Sequence, residues 1–369
     1  MLGRQFSVHA SSLCAQTPSV PKVTVDAHLN IDCARKDEEY YFDESKAGFC
    51  TFLVEDALFR VHRFVLARDS STFEDMFSLP KTPGTCSSDD EGPVSLSDTA
   101  EQFRDLLWAL YALPSQLQIS QSSSFQSLPS LNRLLNIAEL AHKYNFTSFE
   151  DWALAQILAL ASSPSGPLCT GSSATCARII HIAALTGHAQ LSTLASDAIV
   201  RRLLAGEVDP SQTLLSVANH HGLRKLRGAV LYTRLLSLEN SSLAETPRID
   251  RKLLGASERV GYLNAFQSLV RLWERLRVSP PSFSFDECDN HEHFVGWWRE
   301  MWLVAGRSED IQRKSSADVL GRLECMGEHL RERVLESGLP LECALAALEG
   351  VSSAFESCME NLDSHFCEP

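Results

Sequence analysis

Only two residues, Glu55 and Asp56, separate the run Phe49-Cys-Thr-Phe-Leu-Val54 from a second apolar run, Ala57 to Val61. Both runs are short and rich in aromatic and β-branched residues, as strands are. A polar link this short leaves no room for a crossover, so the two strands fold as an antiparallel hairpin. The apolar period then changes. Arg63 to Phe77 is helical in pattern, with Val65, Leu66, Phe73, Met76 and Phe77 on its apolar face, and Ser71 followed by Glu74 has the spacing of a capping box for a second helix. Residues 80–93, rich in Gly, Ser and Asp, form a loop. Val94-Ser-Leu96 alternates like a short strand and runs into Ser97-Asp98, a suitable N-cap. Phe103, Leu106, Leu107, Leu110 and Tyr111 then follow an i, i+3, i+4, i+7, i+8 spacing, which is an amphipathic helix that Pro114 ends.

Beyond this point every pattern is helical. Ser115 to Ser130 is a Ser- and Gln-rich surface insertion, followed by helices from Leu131 and over Phe149 to Ala161. The Pro- and Gly-containing stretch 162–173 reads as a linker. Cys176 to Leu204 and Ser211 to Leu238 each resemble a helical hairpin, closed by polar turns such as Thr186-Gly-His and His220-His-Gly-Leu. Further helices are expected around Val260 to Leu276, Phe294 to Val304, Ala317 to Leu335 and Leu341 to Phe366. The divisions expected are a flexible leader over 1–40, a mixed domain over 41–160, a linker over 161–175, a helical-hairpin extension over 176–240 and a helical region over 250–369.

Charge narrows the function. Lys and Arg total 33 against 47 Asp and Glu, a formal charge of −14. Affinity for nucleic acid comes largely from cations that displace counterions, so direct nucleic-acid binding is not expected. The one basic cluster is Arg224, Lys225 and Arg227. The eleven cysteines are odd in number and contain no CxxC, which fits reduced thiols of the cytoplasm or nucleus and not a secreted disulfide framework. No stretch reaches the 18 or more apolar residues of a membrane span, so a soluble chain is expected.

Leu58-Phe-Arg-Val-His62, Val65-Leu-Ala67, Ser70, Phe73 and Met76-Phe77, continued by Val94-Ser-Leu-Ser-Asp98 and the Phe103–Tyr111 helix, resemble the signature of BTB/POZ domains. The flavour of the motif is similar to the large BTB group of mushroom-forming fungi, and the resemblance covers residues 42 to about 160. It implies an α+β class, with a small sheet flanked by helical hairpins and followed by a mostly α-helical C-terminal region. It also implies a protein-interaction adaptor or scaffold that self-associates as a homodimer, with Phe42, Phe49, Phe64, Val65 and Leu66 contributing to the contact. Some relatives bridge substrates to cullin ubiquitin ligases, which makes a cullin a partner to expect. A transcription-associated regulator without its own DNA-binding module is the alternative. Two departures stand out: Gly48-Phe49 occupies the place where many relatives carry an acidic residue, and the insertion after Pro114 is long.

Several constellations invite a chemical reading. His62 stands without a nearby acid, Cys or second His at useful spacing, and is expected to fix the strand-to-helix turn by bonding to backbone. Cys288-Asp-Asn-His291-Glu-His293 resembles a metal cluster, but zinc takes about four converging ligands, usually in two pairs, so a solvated acidic loop is expected. Gly166-Pro-Leu-Cys-Thr-Gly171-Ser172-Ser173 has phosphate-loop glycine spacing without the Lys that such a loop needs. Phe294, Trp298 and Trp302 share a helical face and are expected in a core. No catalytic, cofactor-binding or metal residue is assigned, and a metal- or thiol-dependent enzyme of the C-terminal third is the remaining rival.

Overall fold

The structure is a computed structural model of the 369-residue chain. It describes residues 34–43, 48–79, 92–117, 130–240, 255–282, 291–336 and 341–367. The hairpin is present as β2 (Phe49–Val54) and β3 (Ala57–His62), paired without a break from Phe49–His62 to Val54–Ala57. Glu55, at φ 54°, adopts the left-handed conformation that a two-residue turn needs. β1 (Arg35–Tyr41) runs parallel to β3 and β4 (Val94–Leu96) parallel to β2, giving the order β1-β3-β2-β4.

β1 corrects the leader expected over 1–40. Its charged run Arg35 to Glu39 hides a strand because the register shifts between Lys36–Leu58 and Tyr41–Arg60, so period-two alternation is lost. Asp37 and Tyr40 are the residues buried instead. Asp37 accepts the backbone N–H groups of Glu39 and Tyr40 and takes a forked contact from Arg104, at 3.1 and 2.6 Å. Residues 1–33 lie outside the described residues.

α1 (Arg63–Leu66), α2 (Thr72–Ser78), α3 (Ala100–Tyr111) and α5 (Leu131–Tyr144) share a core with the sheet, while α4 (Pro114–Leu117) follows α3 and α6 (Thr147–Ala161) packs on α5. Ser71 caps α2, as its spacing from Glu74 predicts. The cap of α3 is Thr99, whose side chain and that of Gln102 close a reciprocal capping box, and not Ser97-Asp98. Asp98 turns inward and is held by Lys143 and the Tyr144 hydroxyl. Phe52, Phe59 and Phe103 form the centre of the core, with Phe59 meeting Phe103 edge-on at 5.1 Å. Residues 118–129 of the insertion lie outside the described residues.

The stretch expected to be a linker is folded. It forms the short helix α7 (Pro167–Thr170), Leu168 is buried in a second core that runs from α3 to α11 (Arg224–Asn240), and Arg202 donates to the carbonyls of Leu168 and Gly171. α8 (Ser173–Leu185), α9 (Ala189–Leu204), α10 (Gln212–His220) and α11 (Arg224–Asn240) follow as two hairpins. Four helix ends share one closure. Asn145, Gly187, Gly206 and Gly222 are left-handed, and the next residue donates its N–H to the carbonyl five positions back, as in Phe146 to Ala141 and Leu223 to Ala218. The polar turns noted in the sequence are these motifs.

α12 (Ala256–Leu276), α13 (His291–Ala305), α14 (Glu309–Arg313), α15 (Val319–Glu336) and α16 (Leu341–Glu360) build a third core with Tyr232 of α11. Trp298 and Trp302 are buried there, and the Trp302 indole donates to Leu276 O at 2.8 Å. A 3-10 turn, Leu362–Phe366, returns to α11. Among the described residues the fold is thus α+β over β1 to α6, with a small four-stranded sheet and helices, and helical beyond. No described helix is long and apolar enough to cross a membrane.

Candidate interaction surface

At the end of the hairpin, where β3 gives way to α1, side chains from five segments converge. Phe49 of β2 stands opposite His62 of β3 in the register, with ring centroids 4.4 Å apart. Phe42, just past β1, lies 5.2 Å from His62 and 6.2 Å from Phe49. Phe64 of α1 reaches His62 from the other side at 5.3 Å. Tyr111, at the end of α3, closes the group beneath, 5.8 Å from Phe42.

Its hydroxyl accepts the His62 backbone N–H at 3.0 Å and lies 3.0 Å from Nδ1 of the same residue. His62 is therefore tied to a tyrosine 49 residues away, a correction to the backbone contact expected. Burial pushes the Tyr111 phenol above its ordinary pKa, with the His62 amide partly offsetting it, so the hydroxyl keeps its proton for this bond. The imidazole orders the patch.

Cations frame the rings. Arg60 lies over Phe49 at 5.3 Å and Arg68 over Phe64 at 5.8 Å. Arg63 donates to Phe49 O, and Arg68 to Leu110 O. Sequence reasoning passed over these arginines, although the signal was present in Phe-Arg-Val-His-Arg-Phe, where strand alternation places Arg60 on the side opposite Phe59 and Val61.

Of the five residues assigned to the contact, three are available. Phe64 is 62% exposed, while Phe42 and Phe49 are half-buried. Val65 and Leu66 are 2% and 0% exposed, packed into the domain's own core, so they support the patch from behind and do not reach a partner. This is a correction with a simple origin: the four-residue helix α1 has one inward face, and it carries both residues.

The other candidate groups have different outcomes. Lys225 pairs with Asp197 at 2.7 Å and Arg227 with Asp363 at 3.4 Å, so the one basic cluster is largely engaged within the molecule. Cys288 lies outside the described residues, as do the side chains of His291 and His293. Among the described residues no three His, Cys, Asp or Glu side chains are grouped to hold a metal ion. The glycine-spaced segment 166–173 is α7 and the start of α8, with its carbonyls turned to Arg202 and no cradle of amides.

Residues 42–148 match the family model of the BTB/POZ domain. The match spans the hairpin, the aromatic patch and the helices through the start of α6, which are the elements that carry the resemblance in the sequence. No curated protein and no solved structure matches the chain. Domains of that family mediate protein–protein interactions, and the matched part of this chain is similar to them.

Proposed function

We propose that this protein is an adaptor or scaffold whose BTB/POZ domain associates with a second copy through the Phe42, Phe49 and Phe64 patch, most simply as a symmetric dimer. The observation that carries the reading is Phe64, a large aromatic left 62% exposed at the edge of the rings ordered around His62. Exposed aromatic clusters framed by Arg have the composition of interface hot spots. A stable dimer buries roughly 1,200–2,000 Å² in all, so these rings would form the middle of a larger contact. In this reading the domain extends over about 41–160, the helical remainder presents a second partner, and the protein works in the cytoplasm or nucleus.

Sedimentation of the full-length chain tests the proposal. The native protein is expected to sediment as a dimer at micromolar concentration, and Phe64→Asp as a monomer with unchanged helical content. A native protein that stays monomeric, or a Phe64→Asp dimer, would remove the patch from the reading. Substrate delivery to a cullin ubiquitin ligase is the finer form of the adaptor hypothesis. Affinity purification that recovers a cullin with its RING subunit supports it, whereas co-purification with transcription factors alone favours the transcription-associated alternative.

A further inference from the structure

α15 and α16 pack as neighbours but diverge enough to leave a groove of about 390 Å³ between them. Its apolar floor is offered by the half-buried Leu348 and Phe355, with Leu323 and Val351 buried behind them, and Glu324, Glu328 and Glu356 line it as well. The three carboxylates are on exposed residues and none forms an ion pair among the described residues, although salt bridges are frequent elsewhere in the molecule. Arg331 alone opposes them, at one end of the groove. The charge continues along α16, where Glu342, Glu349, Glu356 and Glu360 occur with no Lys or Arg from Leu341 to Glu360.

Unpaired carboxylates beside an apolar floor raise the cost of leaving the groove to water-filled solitude little, but they fix what can enter it. An acidic or neutral apolar segment would bury the floor against like charge or leave the carboxylates desolvated without partners, and a cationic one would satisfy both. Size selects further. The lining runs from Leu323 to Arg331 on one helix, about 12 Å at 1.5 Å per residue, so it accommodates about two turns of a partner helix.

We propose that this groove docks a basic amphipathic helix of a partner protein, which lays apolar side chains spaced i, i+3, i+4 and i+7 on the Leu348–Phe355 floor and sets Lys or Arg against Glu324, Glu328 and Glu356. The inference rests on the adaptor reading, because it supplies the second surface an adaptor needs. It concerns a site far along the chain from the aromatic patch.

The probe is a fluorescent four-turn peptide with Leu at i, i+3, i+4 and i+7 and Lys at the outward positions, together with a twin in which Glu replaces Lys. Anisotropy titrations use the full chain, the triple variant Glu324→Gln/Glu328→Gln/Glu356→Gln, Phe355→Ala, and a charge-matched control, Glu74→Gln/Asp75→Asn/Glu101→Gln. Binding of the Lys peptide is expected to weaken by about tenfold or more in the groove triple and in Phe355→Ala, to stay unchanged in the control, and to rise as salt falls. No binding by the native chain, equal binding of the Glu twin, or equal weakening by the control would overturn the proposal. Sedimentation of the same samples separates the two readings, since the groove variants leave self-association untouched whether or not the peptide binds.

Discussion

His62 and Tyr111 show how much one side chain decides. The phenol satisfies a half-buried backbone amide and orients the imidazole around which Phe42, Phe49 and Phe64 are arranged. Tyr111→Phe keeps the ring and removes both contacts. Leaving the amide without its acceptor is expected to cost about 1–2 kcal/mol in chemical denaturation, and to weaken self-association along with it. A stability change below about 0.5 kcal/mol would show that the hydroxyl does not hold the patch. Val65 and Leu66 carry the complementary lesson. Their motif was legible, but which of three consecutive apolar residues in Phe64-Val-Leu66 faces outward was not, because a helix of one turn has no period long enough to define a face.

Among the elements, the short ones mattered most. The hairpin and the long amphipathic helices were legible because their period is sustained, and their turns because left-handed ends favour Gly or Asn. β1 escaped because its burial follows Asp37 and Tyr40 and not alternation. The 3-10 turn Leu362–Phe366 was expected as the end of one helix from Leu341, and its break from α16 escaped because it owes its place to α11. Gly228 lets it sit there: a Cβ on that residue would stand 2.6 Å from the Asp363 backbone nitrogen and 2.9 Å from the Leu362 Cβ. Neither atom can swing away. Gly228→Ala is expected to displace the turn, lower stability by about 1–3 kcal/mol and speed proteolytic removal of the residues beyond Asn361. Unchanged protection of that segment would mean that the contact is looser than these distances imply.

For the whole molecule, the important finding is continuity between the BTB/POZ match and the helices after it. One buried core contains Ala109, Leu134, Ile157, Leu168, Ile180 and Leu214, and runs from α3 to α11. A polar chain crosses the same boundary: Arg133 and Asn136 hold Asp105 at 2.8 and 2.7 Å, and Arg178 of α8 donates to Asn136. Nothing in this arrangement behaves as a tether. Native-state digestion with proteinase K is expected to spare 162–173, and Leu168→Ala to destabilise by about 2–5 kcal/mol in one cooperative transition. Rapid cleavage within that segment to give two stable fragments would restore the linker.

The sequence by itself determined the class of fold, the hairpin, the long helices and the acidic balance that argues against nucleic acid, since period and charge are local properties that no packing can reverse. Only the tertiary structure decided which aromatics remain exposed, that the Pro- and Gly-containing stretch 162–173 anchors Leu168 in a core, and that α15 and α16 leave an acidic-walled groove. Each of these depends on what residues distant in the chain present to one another, and a turn residue has the same local preferences whether Leu168 beside it meets water or a neighbouring helix.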